Sequence, residues 1–275
     1  MMSVPLQTAA ELVATRQEGG IVRTLGDIAL VAQRNLLLDL RNPAVLVGGT
    51  AFPVFLLLIF TASFAKVVIP EGNYANYAQF IVPLSTVQGL LFSTVSIGTT
   101  LYNDLESGMD RRLRTLPIAR SAVLAGRILG GAGRLLVQVV IITLVGYSVG
   151  FRFQTGFLSI ITFLLLPVVF ASSFAWIAAL IALKAKAVES VQVGITPWLL
   201  PLTFLSIGYV PKEGFPEWLQ GFVAINPVSS AAQALRGLAA GGPVAGFVAA
   251  TLLWSAALTV VFGTLATRAY QRRSS

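Results

Sequence analysis

Residues 106–120 read ESGMDRRLRTLPIAR and concentrate six charged side chains, Glu106, Asp110, Arg111, Arg112, Arg114 and Arg120, between two long apolar runs. Mixed signs on one short segment favour specific pairing with a complementary protein surface over plain attraction to anionic lipid. The plainer reading is an ordinary basic loop that sets membrane orientation. Catalytic chemistry has little to work with elsewhere. The chain has no Cys and no His, which removes disulfides, thiolate metal sites, and the commonest metal ligand and general base. It also has no G-x-x-x-x-G-K-[ST] loop to cradle a nucleotide. The residue types point to recognition and movement, with any energy source on another chain.

The elements that must position this block are greasy. Of 275 residues, 56% are hydrophobic and 11% charged, against about a quarter charged in a soluble domain, and the mean hydropathy is +0.81. Runs of about 20 apolar residues suffice to cross a bilayer as a helix, so the chain reads as an all-α integral membrane protein. The net charge of +8 sits at the ends of apolar runs, which is an orientation signal and argues against a nucleic-acid partner. The start of the chain shows no signal-peptide pattern, and its first apolar run reads as a retained span.

Uncharged stretches predict six spans near 44–65, 78–101, 127–150, 156–183, 187–209 and 244–267. They form a transmembrane domain over 43–268, preceded by a flexible leader (1–19) and an amphipathic helix (20–42), and followed by a basic tail (269–275). In the 20–42 segment Ile21, Leu25, Ile28, Ala32 and Leu36 recur at helical spacing among Arg23, Asp27 and Arg34, the pattern of a helix lying along the inner membrane surface, with a simple soluble helix before the membrane as the plainer reading. Residues 212–242, with Asn226, Pro227, Ser229, Ser230 and Gln233, are too polar for a full crossing and suit a re-entrant hairpin. Placing both termini inside puts fourteen Lys and Arg in cytoplasmic segments and four outside, namely Lys66, Arg152, Lys212 and Arg236, a strong positive-inside bias. The six tyrosines fall near predicted span ends, as an interfacial belt does.

Polar residues inside the spans are few. Glu189, at the inner edge of the fifth, is the single acid, so an ion-coupled carrier lacks the carboxylates it would titrate. Arg134 in the third span has two readings, an anion contact in a pathway or a side chain snorkelling to the interface beside Arg127. Ala122, Gly126 and Gly130 form a small-residue seam for close helix packing. Pro53, Pro83, Pro167, Pro197 and Pro201 can kink their spans. Phe52, Phe55, Phe60, Phe92 and Phe204 are candidates for lining an apolar route, although most membrane aromatics pack or face lipid.

Two segments carry a family resemblance. Glu106, Gly108, Leu113, Leu116, Pro117, Arg120, Gly126 and Arg127 make an E-x-G…L-x-x-L-P…R…G-R pattern that resembles the cytoplasmic loop of ABC type 2 exporter permeases. Residues 200–237 carry Gly208, Pro211, Phe215, Pro216, Trp218, then Asn226-Pro227-x-x-Ser230 and Arg236, and this segment is similar to that family's signature. Val228 departs mildly from it. The match runs from about residue 25 and is nearest to the daunorubicin-resistance-type drug and lipid exporters of actinobacteria. Fifteen Arg to four Lys, with abundant Ala and Gly, agree with a GC-rich source.

The resemblance implies a multi-pass permease of the bacterial plasma membrane with both termini cytoplasmic. It also implies a second six-span permease, identical or related, and separate ATP-binding subunits that hold the ATP and Mg. Gly108 can break the preceding helix, Met109 to Leu116 can form a short one, and Pro117 ends it. The resemblance makes this a cytoplasmic coupling helix, with Glu106, Asp110, Arg111, Arg112, Arg114 and Arg120 as the coupling contacts. Asn226, Pro227, Ser230 and Arg236 then belong to an outer re-entrant hairpin. The substrate would be a hydrophobic drug or a lipid. Export of a polysaccharide or glycolipid, an ion-coupled carrier, and a membrane scaffold that transports nothing stand as alternatives.

Overall fold

The computed structural model describes residues 21–41, 43–68, 74–108, 120–209 and 212–273. Among these, all regular elements are helical: α1 (Ile21–Leu40), α2 (Pro43–Val68), α3 (Tyr74–Glu106), α4 (Arg120–Ser148), α5 (Phe157–Lys184), α6 (Val188–Phe204), a 3-10 turn (Lys212–Gly214), α7 (Glu217–Ile225), α8 (Pro227–Ala240) and α9 (Ala245–Arg272). Five of the described helices are long and apolar enough to cross a membrane, within α2, α3, α4, α5 and α9. The stretch expected as the fifth span, 187–209, is helical only as far as Phe204, giving α6 17 residues with Pro197 and Pro201 inside it. At 1.5 Å per residue α6 is about 26 Å long.

The long helix α3 is the axis of the molecule. Its residues 81–91 are all buried, and α2, α4, α5, α6 and α8 pack around it. Small residues set the approach distances, as membrane helices require. A Cβ on Gly89 would lie 2.6 Å from Pro53 Cβ, and one on Gly98 would lie 3.0 Å from Val191. Pro53, expected as a kink, thus also seats α2 on α3. The axis ends at Gly108, whose φ of +72° breaks the helix two residues after Glu106.

The amphipathic helix forms, and the described part of its apolar stripe, Ile28, Ala32 and Leu36, packs on protein. α1 runs in the same direction as the start of α4, and Ile28, Val31, Ala32, Asn35 and Leu36 fit over Gly126, Gly130 and Gly133. A Cβ on Gly126 would come within 2.6 Å of Val31 Cβ, and one on Gly130 within 2.7 Å of Asn35 Cβ. The small-residue seam is therefore the dock for α1. Its opposite face leaves Leu30, Leu37 and Leu38 exposed.

Hydrogen bonds between distant segments sort the helix ends into two groups. At one end the Tyr102 hydroxyl donates to the Lys186 carbonyl (2.9 Å) and Arg273 to the Leu183 carbonyl (3.1 Å). At the other, the Gln79 amide donates to the Arg152 carbonyl (2.7 Å) and the Gln154 N–H to the Ala239 carbonyl (2.8 Å). By chain order, Arg127, Lys184, Lys186, Arg268, Arg272 and Arg273 fall at the first end, and Lys66, Arg152, Lys212 and Arg236 at the second.

Candidate functional site

The charged block opens from the first end. Asp110, Arg111, Arg112 and Arg114, with the short helix expected at 109–116, lie outside the described residues, as does the leader 1–19; Arg120 is the first residue of α4. The frame holding the block is clear. Glu106 closes α3 and pairs with Arg273 at the end of α9 (3.4 Å) across an exposed surface. Two residues deeper, Asp104 forms an ion pair with Arg127 of α4, and Arg127 also donates to the Asn35 side chain of α1 (3.3 Å). The two helices that carry the block are thus bolted together, and bolted to α1, α5 and α9.

Arg134 matches neither expectation. It is 5% exposed, pairs with Asp39 of α1 (3.8 Å), and donates to the Ser96 hydroxyl (3.2 Å) and the Ser93 carbonyl (3.4 Å) of α3. A buried charge with a counter-ion and hydrogen bonds is a structural tie, so the side chain neither snorkels nor faces a pathway. Next to it the Ser93 hydroxyl donates to Gln138 Oε1 (2.7 Å), and the Gln138 amide donates to the Gly49 carbonyl (2.7 Å). This joins α2 to α3 and α4. Asp39, Asp104 and Gln138 carry these ties, and spacing along the chain gave no sign of them.

At the second end the hairpin residues come together. Asn226 ends α7 and caps α8: its Oδ1 accepts the Val228 N–H (2.9 Å), and its Nδ2 donates to the Leu202 (2.8 Å) and Leu205 (2.7 Å) carbonyls at the end of α6. Pro227 takes the first position of α8, where its missing N–H costs nothing. Ser230 is buried in the first turn, and its N–H donates to the Asn226 carbonyl (3.3 Å). Ser229 accepts the Ile207 N–H (3.0 Å). Arg236 donates to the carbonyls of Phe80 (3.1 Å), Ile207 (3.1 Å) and Gly208. Residues 205–209 follow the helix without continuing it, and Asn226, Ser229 and Arg236 supply the partners their backbone lacks. Buried polar backbone demands such partners, which explains the Asn-Pro-x-x-Ser…Arg spacing physically.

The aromatic candidates divide. Phe60 of α2 and Phe204 of α6 meet around Tyr209, with ring centroids at 5.6 and 5.4 Å, the second pair stacked. The Tyr209 hydroxyl donates to Gln88 Oε1 of α3 (2.5 Å). Phe52 meets Phe92 edge-on at 6.0 Å. Phe55 points outward, 58% exposed. A single five-ring route is not formed within the chain. Instead, two separate aromatic contacts fasten α2 to its neighbours.

With this geometry in place, comparison with known proteins is direct. The family model described as "ABC-2 type transporter" matches residues 27–239. The daunorubicin resistance ABC transporter permease protein DrrB1 of Streptomyces coeruleorubidus is 36% identical over 235 residues, 85% of this chain and 82% of the relative. The doxorubicin resistance ABC transporter permease protein DrrB of Mycobacterium tuberculosis is 30% identical over 212 residues, 74% and 72% of the two chains. A bundle organised on α3, with its charged break after Glu106 and its Asn226–Arg236 hairpin both inside or beside the matched region, belongs to the ABC-2 type transporter family of multi-pass membrane permeases.

Proposed function

We propose that this chain is the membrane-spanning permease subunit of an ATP-driven exporter, moving a hydrophobic drug or a lipid-like molecule outward from the cytoplasm or inner leaflet. ATP and Mg belong to a separate ATP-binding-cassette subunit that presses on the 106–120 block. The chain crosses six times, with α6 as the short fifth crossing, both termini inside and the α7–α8 hairpin dipping in from the outer side. A second permease covers the exposed face of α2, where Phe52, Phe55, Leu58 and Ile59 stand outward.

The observation that carries this reading is the continuity of α3. At one end it holds Glu106 and Asp104, tied to α9 and α4. Toward the other, Gln88 meets Tyr209, and Arg236 grips the Phe80 carbonyl. This 33-residue helix is about 50 Å long. A push on the block therefore travels along one helix to Gln88 and Tyr209, and past Pro83 to Phe80 and Arg236. Membrane proteins transmit motion through such packed elements when these have two arrangements.

The test is affinity purification of the tagged chain from native membranes in mild detergent, with mass spectrometry of stoichiometric partners. Recovery of a soluble subunit with a phosphate-binding loop is expected. Its absence, even after crosslinking, overturns the ATP-driven reading and returns the block to an orientation signal.

A further inference from the structure

Between α3, α5, α6 and α9 lies a cavity of about 350 Å³, lined by Ile177, Ile181, Gly194, Trp198, Leu202 and Phe262 among others. Its one polar lining residue, Thr94, is fully buried, and its hydroxyl already donates to the Leu91 carbonyl (2.6 Å). Drug-like ligands are oriented by a few placed polar groups, and beside Thr94 the lining carries only the indole N–H of Trp198. Its shape follows the helices. From Ile181 to Phe174 on α5 it runs over about 10 Å, and from Gly194 to Leu202 on α6 over about 12 Å. Such a length approaches the ~15 Å half-thickness of a bilayer core.

Charge lies at one end. Ile181 is one turn from Lys184, and Phe262 is six residues from Arg268; Lys184, Lys186 and Arg268 are all exposed. The backbone of this ledge is fixed, because Tyr102 holds the Lys186 carbonyl and Arg273 holds the Leu183 carbonyl. Glu189 is the acid nearby on α6 and Glu106 is engaged by Arg273, which leaves the ledge net basic. We infer that this cleft binds one anionic phospholipid of the leaflet on the Lys184 side, an acyl chain filling the cavity and its phosphate resting on Lys184, Lys186 and Arg268. A charge-free, mostly apolar slot beneath a basic rim matches that molecule. The identity of the leaflet rests on the cytoplasmic placement of this end proposed above.

The test counts lipids retained by the full chain in its native complex by native mass spectrometry, titrating dioleoyl phosphatidylglycerol against dioleoyl phosphatidylcholine. Preferential retention of phosphatidylglycerol is expected. Ile177→Trp, which fills the slot, should abolish it. The surface triple Lys184→Gln/Lys186→Gln/Arg268→Gln, which leaves the packing untouched, should weaken it about a hundredfold. Equal retention of the two lipids, or retention unchanged in the triple variant, overturns the assignment. The sidedness is read separately. In this Cys-free chain, Lys186→Cys labels with an impermeant maleimide only from the cytoplasmic face if the placement holds. Labelling from outside moves the lipid to the other leaflet and corrects the topology, while the binding data stand by themselves.

Discussion

Arg236 lies with its guanidinium carbon 3.5 Å from the centre of the Phe80 ring, and it donates to that same residue's carbonyl through Nε and one terminal nitrogen, both at 3.1 Å. One side chain thereby couples α8 to α3 through a ring face and a backbone oxygen. Its remaining donors reach Ile207 and Gly208 beyond α6.

Arg236→Gln should be strongly destabilising, because it strips buried carbonyls of charged donors worth ~1.5–3 kcal/mol each in favourable cases. The expected result is a fall of several degrees in the midpoint of thermal unfolding, followed by size-exclusion chromatography in detergent. Arg236→Lys should rescue little, since an ammonium cannot span three carbonyls with a planar fork.

The Tyr209–Gln88 pair allows a double-mutant cycle. Gln88 is buried and its Nε2 has no hydrogen-bond partner, so Tyr209→Phe leaves the amide with neither end bonded. A cost of about 1–3 kcal/mol is expected for Tyr209→Phe. Gln88→Leu combined with Tyr209→Phe should be less damaging than Tyr209→Phe alone, because no polar atom is then stranded. Additive losses would show that the hydrogen bond contributes nothing.

α1 docks where glycine permits contact. Gly126→Val should push α1 off α4, since the new Cβ would lie 2.6 Å from Val31 Cβ and 2.9 Å from the Ile28 carbonyl. Gly221→Val, where nothing stands within 4 Å, serves as the control. Crosslinking between paired cysteines introduced in α1 and α4 reads the difference: loss in the first variant, retention in the second.

Glu106 separates coupling from stability. Its pair with Arg273 is exposed, and such pairs contribute about 0–1 kcal/mol. Glu106→Arg with Arg114→Glu should therefore insert and unfold almost like the parent while transport and substrate-stimulated ATPase activity fall. Normal transport by that double variant would remove the block from the mechanism.

Much of this architecture is legible in the sequence, for reasons that differ by element. Apolar length marks α2, α3, α4, α5 and α9 because a bilayer core demands it. Asn226, Pro227 and Arg236 stand out because their types are rare beside apolar helices. The end of α6 is harder: Pro197 and Pro201 weaken the helix, but where it stops depends on Asn226, more than twenty residues onward. Arg134 could not be read alone, since its counter-ion Asp39 is 95 positions away and reaches it only because Gly126, Gly130 and Gly133 admit α1. The phenylalanines were indistinguishable by type. Tyr209 draws Phe60 and Phe204 together, while Phe55 stays outside.

The clasp on residues 205–209 also orders the birth of the protein. The carbonyls of Leu202, Leu205, Ile207 and Gly208 are polymerised before Asn226 and Arg236, which bind them, and Phe80, the third ligand of Arg236, is far older still. The C-terminal turn of α6 therefore stays unfinished at the translocon until the hairpin has been made and has folded back on α3. In this chain the end of α6 is completed by residues made after it, a closure that runs backward along the sequence.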